Sequence, residues 1–528
     1  MFLNGVMKGY FGLHWFESKT CTLHLKRERR LKTVRFSEKK KGINITTNYE
    51  GEVAYKLTPK MELYTLVCTA SLQKEFYTDK DECINRLKTL LPKVPIPFAA
   101  KLAVYAREEM HLRSIPLVIA VELLKLERSK LTEDLVERVI QRADEIPEML
   151  SYFQLANERE GTKKLNRLPN ALKKGIARAF HKFDEYQFAK YNRDTEVRIR
   201  DAMFLTHPKP DTKEKEELFK KIADDTLAVP YTWEVELSKE DGRSKKEKWE
   251  QLIASKKLGY MAQLRNLRNM LDERVDNIEE VLDFLSDPIN VLHSRQLPFR
   301  FLSAYKEIVG FGSFRGSTAL EALEQAMQHS TVNIKGFNEK TNVLIACDMS
   351  GSMSVMLSPK SKVHYYDIGL TLGMLLQSKC KSVITGIFGE AWKVVQLPRT
   401  NILANIYDLA MLEDTVGHST NGYLAIRYLR ENKLTADKVL VFTDCQLWDS
   451  RSWYEEASTI KEEWQEYKKL APDAKLYLFD MAGYGNTPIN LSQKDVYMIA
   501  GWSEKVFEVL NAIEKGQAAL SVIERIKI

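Results

Sequence analysis

The sequence has no run of about 18 apolar residues, the length a membrane-crossing helix needs. Its nearest approach, IPLVIAVELL at 115–124, is broken by Glu122. The six cysteines, at 21, 68, 83, 347, 380 and 445, form no CxxC pair and have no histidine at zinc-finger spacing. They are expected to be buried thiols in a reducing compartment, so the chain is expected to be cytoplasmic. Also missing are GxSxG, HExxH and a phosphate loop. GFGSFRGST at 310–318 fails as one, because no Lys precedes Ser317 and Arg315 replaces the last glycine of GxGxxG. It reads as an interhelical turn. Strong charge of one sign is lacking too: residues 341–528 carry 20 basic and 22 acidic side chains, and residues 1–340 carry 59 and 50. Global charge is therefore weak evidence for a nucleic-acid partner.

What is present is an ordinary globular composition, 44% hydrophobic and 29% charged. At 528 residues the chain is too long for one core, and about two to four domains are expected. Residues 1–33 show no lasting period, and residues 1–41 hold 11 basic and 3 acidic groups. This basic extension, bounded at 1–43, is expected to be a disordered tail or upstream sequence read in frame. In the second case Arg29-Arg30 would be AGG-AGG and Val34 a GUG start. The codons at 29 and 30 decide between the two.

From Thr58 to about Tyr186 the apolar period is helical, with breaks at Pro92–Pro97, near Ser114 and before Pro169. Short successive helices suggest a HEAT-type array, with a generic helical domain as the alternative. In PNALKKGIARAFHKF (169–183), Leu172, Ile176, Ala179, Phe180 and Phe183 share one face, and Lys174, Arg178 and His181 lie opposite. Residues 163–210 hold 12 basic and 5 acidic groups, interspersed with Tyr186, Tyr191 and His207. Cations beside rings suit RNA phosphates and unpaired bases, although a solvated helix face has the same pattern. ELSKEDGRSKKEK (236–248) reads as an exposed loop.

After about residue 338 the pattern becomes strand, helix, strand, helix, which predicts a doubly wound, mostly parallel sheet with its own core. NVLIACDMSGSMS (342–354) joins a buried-strand run to Asp348, Ser350 and Ser352 on a glycine-containing loop. KVLVFTD ends in Thr443 and Asp444, and GHSTN places Thr420 on a third loop. Oxygen ligands at strand carboxyl ends suit a hard divalent cation, with magnesium expected. A capped polar turn would explain the first tripeptide equally well.

DxSxS, a loop Thr and a strand-end Asp resemble the metal-ion-dependent adhesion site of von Willebrand factor A domains. That resemblance implies direct ligation by Ser350, Ser352 and Thr420, with Asp348 and Asp444 binding directly or through water. One position would stay open for a partner's oxygen. Asn421 stands where relatives carry Asp.

Helices followed by this A domain resemble the Ro autoantigen family, whose N-terminal part is called the TROVE domain. The likeness covers roughly 44–528. It rests on NYEGEVAYKLTPKMELYTLV, LPNALKKGIARAF, KYNRDTEVRIRDAMFLTHPKP, TWEVELS, LGYMAQLRNLRNML and LPFRFLSAYKEI together with the metal motif. It implies an all-α HEAT-like ring over 44–338 closed by an α/β A domain over 339–528. It also implies a non-catalytic scaffold that binds small Y-like noncoding RNAs and single-stranded ends of misfolded or decaying RNA. A 3′ exoribonuclease tethered by the RNA, and a protein ligand at the A domain, are the implied partners. Family positions would fall on Lys190, Tyr191, Arg193, Arg198, Arg200, His207 and Lys209. An RNA-contacting His of animal members aligns with Ile199, so fine contacts do not transfer. The competing readings are a metal-dependent adhesion module without RNA and a magnesium-dependent hydrolase. The metal motif supplies few carboxylates for the latter.

Overall fold

The structure, a computed structural model, describes residues 45–48, 51–70, 82–157, 168–330, 341–357, 361–447, 458–503 and 505–528. The 1–43 extension and the expected boundary at 338/339 lie outside the described residues. Between Pro59 and Ser330 every regular element described is a helix. The helices are short and stack on sequence neighbours, as Ile96–Glu108 does on Ser114–Leu126 and Lys130–Val139. Each buries an apolar stripe that it could not bury alone, which is the logic of an α-solenoid.

One glycine sets the tightest of these contacts. A Cβ on Gly175 would lie 2.6 Å from Val136 Cγ1 and 2.7 Å from the Glu133 carbonyl. The Asn170–Ala179 helix therefore approaches Lys130–Val139 at backbone distance, which only glycine permits. Pro169 is the N-cap of that helix, one position earlier than the first turn its chemistry suggested. The helix ends in a 3₁₀ turn, Phe180–Lys182.

Two local expectations are corrected. The exposed loop expected over 236–248 is narrower, at 239–244, because its flanks belong to helices: Trp233–Ser238 and Lys245–Ala254 are capped by Thr232 and Ser244, and Trp233 stacks on Trp249 at 6.1 Å. Glu236 and Lys248, on those flanks, are buried in ion pairs with Arg243 and Asp241 respectively. The turn at 310–318 is shorter than expected, because helix Phe314–Ser330 starts inside it.

The second unit is a six-stranded sheet running, edge to edge, through β5 Trp392–Val394, β4 Ser382–Phe388, β3 Asn342–Asp348, β6 Lys438–Thr443, β7 Lys475–Asp480 and β9 Val496–Ala500. All pair in parallel except β5, which is antiparallel to β4 and shorter than KVVQL suggested. Alternation along β3 divides its side chains between two clusters. Val343, Ile345 and Cys347 enter one, and Leu344 and Ala346 the other.

The cluster holding Val343 continues through Leu323 to Leu63, so one side of the A-domain sheet shares its core with the helical array, while the cluster holding Leu344 stays within the A domain. The A domain touches both ends of the helical array, which closes it into a ring. At the start, Tyr64 Oη bonds both N and O of Ala500 at 3.1 Å, and Arg86 Nη1 donates to the Gly483 carbonyl at 2.8 Å. Strands β1 Ile45–Thr47 and β2 Val53–Lys56 form a second, antiparallel sheet with β8 Asn486–Thr487. At the end, Lys306 pairs with the buried Asp367, and Glu324 Oε1 accepts the Ala404 N–H at 2.7 Å.

Candidate functional site

The parallel register carries β3, β4 and β6 to a common edge, with Asp348 opposite Phe388 and Asp444 one residue past the end of β6. Three loops leave from that edge and are tied together by backbone bonds. Met349 N donates to the Phe388 carbonyl at 2.9 Å, and Gly351 N to the His418 carbonyl at 3.0 Å. Gly389 allows the third loop to close, since a Cβ there would sit 2.0 Å from the Gly417 carbonyl oxygen. Folding thus gathers all five expected ligands at one edge.

Asp348 is buried. Its Oδ1 accepts from Ser350 N at 2.9 Å, and its Oδ2 from Thr443 Oγ1 at 2.6 Å. Thr443 was read only as a strand-end residue, and nothing in the sequence marked it as the partner of Asp348. Ser350 Oγ and Ser352 Oγ are 3.4 Å apart, Asp444 Oδ1 accepts from Gln446 N at 2.9 Å, and Thr420 Oγ1 donates to the Gln446 carbonyl at 3.0 Å. Burial and then the nearby Asp444 charge push the Asp348 carboxyl well above the usual carboxylate range, and burial raises Asp444 as well. Asp444 Oδ2 is buried with no hydrogen-bond partner among the described residues.

Two buried carboxylates that repel each other, one with an orphaned oxygen, beside two hydroxyls, suit a hard cation. Among the described residues no three His, Cys, Asp or Glu side chains gather as a metal site. Hydroxyls and water would therefore complete the shell, a set that favours magnesium over zinc. Ser352 and His418 are exposed, so the edge is reachable from solvent.

The basic stretch divides into two neighbourhoods. On the Asn170–Ala179 helix, Lys174 is exposed, but Arg178 is held by Glu133 at 3.3 Å, Asp134 at 2.7 Å and Glu137 at 2.8 Å. His181 faces Asp211 at 3.3 Å and meets the Phe219 ring edge-on. The expected continuous stripe is thus corrected: the helix wheel could not show that Lys130–Val139 opposes it with carboxylates. Arg178→Gln should lower stability by about 1 kcal/mol and leave the salt dependence of RNA binding unchanged. Lys174→Gln should flatten that dependence by about 0.7–0.9 units. Salt titrations and melting curves on each variant check the pair.

The second neighbourhood follows the Glu185–Tyr191 helix. Lys190 is exposed, with its Nζ 5.9 Å from the Tyr186 ring centre, and the Arg142 guanidinium lies 4.6 Å over Tyr191. Arg193 and Lys209 are exposed and make no ion pair or side-chain hydrogen bond among the described residues. Arg200 lies 5.7 Å from the centre of the half-exposed Phe204 ring, and Arg198 pairs with Asp194. His207 is exposed in a left-handed cap conformation at the end of Ile199–Thr206, and Ile199 is buried.

Where the array's two ends meet the A domain, a space of about 510 Å³ is lined by Glu109, His111, Arg295, Lys505 and Glu508 among others. Lys505 pairs with Glu109 at 3.3 Å and Glu508 at 2.9 Å. Burial, then the Arg295 and Lys505 charges, lower His111 from 6.5 to about 4, against a smaller opposite effect of Glu109. The unfolded chain therefore binds the extra proton first, and stability should fall as pH drops from 6.5 towards 4. His111→Asn, which tolerates the same positive φ of 54°, should lose less stability over that window than the parent in pH-dependent melts.

Among the described residues no helix is long and apolar enough to cross a membrane. Comparison with known proteins agrees with this architecture. The TROVE domain model matches residues 51–228 and 225–346, and the Ro60 vWA domain model matches 342–513. Telomerase protein component 1 of Rattus norvegicus and of Mus musculus are each 26% identical over 334 residues, covering 47% of this chain. The match spans only 13% of the length of those relatives. The crystal structure of the Deinococcus radiodurans RO (RSR) protein superposes with a TM-score of 0.56 at 16% identity, over 87% of this chain and 100% of that one. That likeness concerns the fold. With a TROVE region spanning more than half of its length and running directly into a Ro-type A domain, the chain belongs to the Ro family.

Proposed function

We propose that this protein is a non-catalytic RNA-binding scaffold of the Ro type. Small Y-like noncoding RNAs and single-stranded ends of misfolded or decaying RNA are its ligands, and RNA quality control is its task. The observation that carries the reading is the run of exposed cations and rings from Lys190 to Lys209, in which Arg193, Arg200 and Lys209 have no carboxylate partner among the described residues. Unpaired cations are what phosphates displace counterions to reach. The A domain binds magnesium through Asp348, Ser350, Ser352, Thr420 and Asp444, and the ion offers an open position to a carboxylate of a protein partner. Exposed Val355 and Met356 flank that loop and would add apolar contact. A 3′ exoribonuclease is brought in through the bound RNA. The setting is the cytoplasm.

Crosslinking the protein to RNA in cells and sequencing what is recovered tests the reading. Enrichment of small structured noncoding RNAs and of transcripts with unpaired ends is the expected result. Recovery that merely follows transcript abundance would contradict it.

A further inference from the structure

Between the Glu185–Tyr191 helix, residues 231–234 and the start of the Tyr260–Asp272 helix lies a cleft of about 400 Å³. This is within the range of about 300–1,000 Å³ typical of small-ligand sites, and too small for a duplex. Tyr186 and Tyr231 line it while 47% and 37% exposed, so both rings are reachable from solvent. Each ring has a lysine near it: Lys190 Nζ lies between Tyr186 and Tyr191, 5.9 and 5.6 Å from their centroids, and Lys257 Nζ is 5.6 Å from that of Tyr231. Two further rings at the cleft have structural duties. Trp233 stacks on Trp249, and Tyr260, 8% exposed, donates its hydroxyl to the Leu285 carbonyl.

Charge in the cleft favours an anion, since Lys190 and Lys257 face one carboxylate, Glu234. The floor agrees with this. The Tyr260–Asp272 helix begins there at Gly259 with no side-chain cap and no acidic residue in its first turn, and the space above Gly259 is open for 4 Å.

We propose that this cleft holds one unpaired nucleotide of a bound RNA, its base against Tyr186 or Tyr231 and its phosphate between Lys190 and Lys257. The proposal rests on the RNA-binding reading and adds a location and a ligand class to it. A ring with a cation beside it accepts any base, because every base has a π face, so the site selects for unpaired RNA and not for sequence. A proline-rich peptide would also fill an aromatic cleft, but it would leave both lysines unmatched.

The test uses the full chain and a single-stranded oligouridylate containing 4-thiouridine, compared with Tyr186→Leu, Tyr231→Leu and the double variant. Leucine preserves apolar bulk and removes the π face. Photocrosslinks should map to Tyr186, Tyr231 or the residues beside them. The double variant should bind the oligonucleotide about fivefold to 150-fold more weakly, at about 1–3 kcal/mol for the one stacked base, with unchanged melting and unchanged duplex binding. Parent-like affinity in a double variant that still melts normally would overturn the cleft as a base site. If Arg193→Gln and Arg200→Gln weakened binding in the same experiment, the RNA-binding reading itself would stand. A parent that binds no single-stranded RNA at low salt would sink both.

Discussion

Asp348→Asn should abolish the response of the A domain to magnesium while leaving the fold intact. At about a hundred times its Kd, a cation that binds only the folded state adds about 2.7 kcal/mol of stability, and the variant should gain none of it. Asparagine preserves the shape of Asp348 and can still accept from Ser350 N, and the Thr443 hydroxyl can turn to accept from the new amide. The charge facing Asp444 disappears, so without magnesium the variant should melt no lower than the parent. Melting curves with and without magnesium read both effects. An unchanged magnesium shift in the variant would remove Asp348 from the ligand set. RNA affinity should barely change, because the basic stretch belongs to the helical array.

The second large effect concerns RNA. Replacing Arg193, Arg200 and Lys209 together by Gln should reduce the slope of log affinity against log salt by about 2.1–2.7 units, and should weaken binding about a hundredfold near 0.1 M salt. The three side chains are exposed and Arg200 lies against the half-exposed Phe204, so the cost in stability should stay within about 0.5 kcal/mol. Phosphate contacts do not read bases, so the loss should be similar across sequences. Filter binding over a salt series, on a structured and a single-stranded RNA, measures it. A slope equal to the parent's would mean that these cations are ordinary solvated surface.

The metal edge was legible in the sequence because its signals are local. An apolar run fixes a buried strand, and the parallel register then carries Asp348 and Asp444 to one edge whatever lies between them. Thr443 escaped as a partner because a hydroxyl aimed across strands leaves no trace in spacing. Gly389 escaped because its reason is the carbonyl of Gly417, 28 positions along the chain. The helical array was legible as helices but not as a surface. The periodicity that put Lys174, Arg178 and His181 on one side was correct, yet Arg178 is neutralised from the neighbouring helix. Ring closure was hidden for the same reason: Tyr64 meets Ala500 436 residues away, and the shared core follows from that contact.

The account stands on RNA binding through unpaired cations, and the salt dependence of the intact protein tests this most directly. Affinity for a single-stranded and a hairpin RNA, measured from about 0.05 to 0.2 M salt, should fall steeply, with a log–log slope of at least about −3. Binding that is absent at the lowest salt, or that does not change across the series, would contradict it.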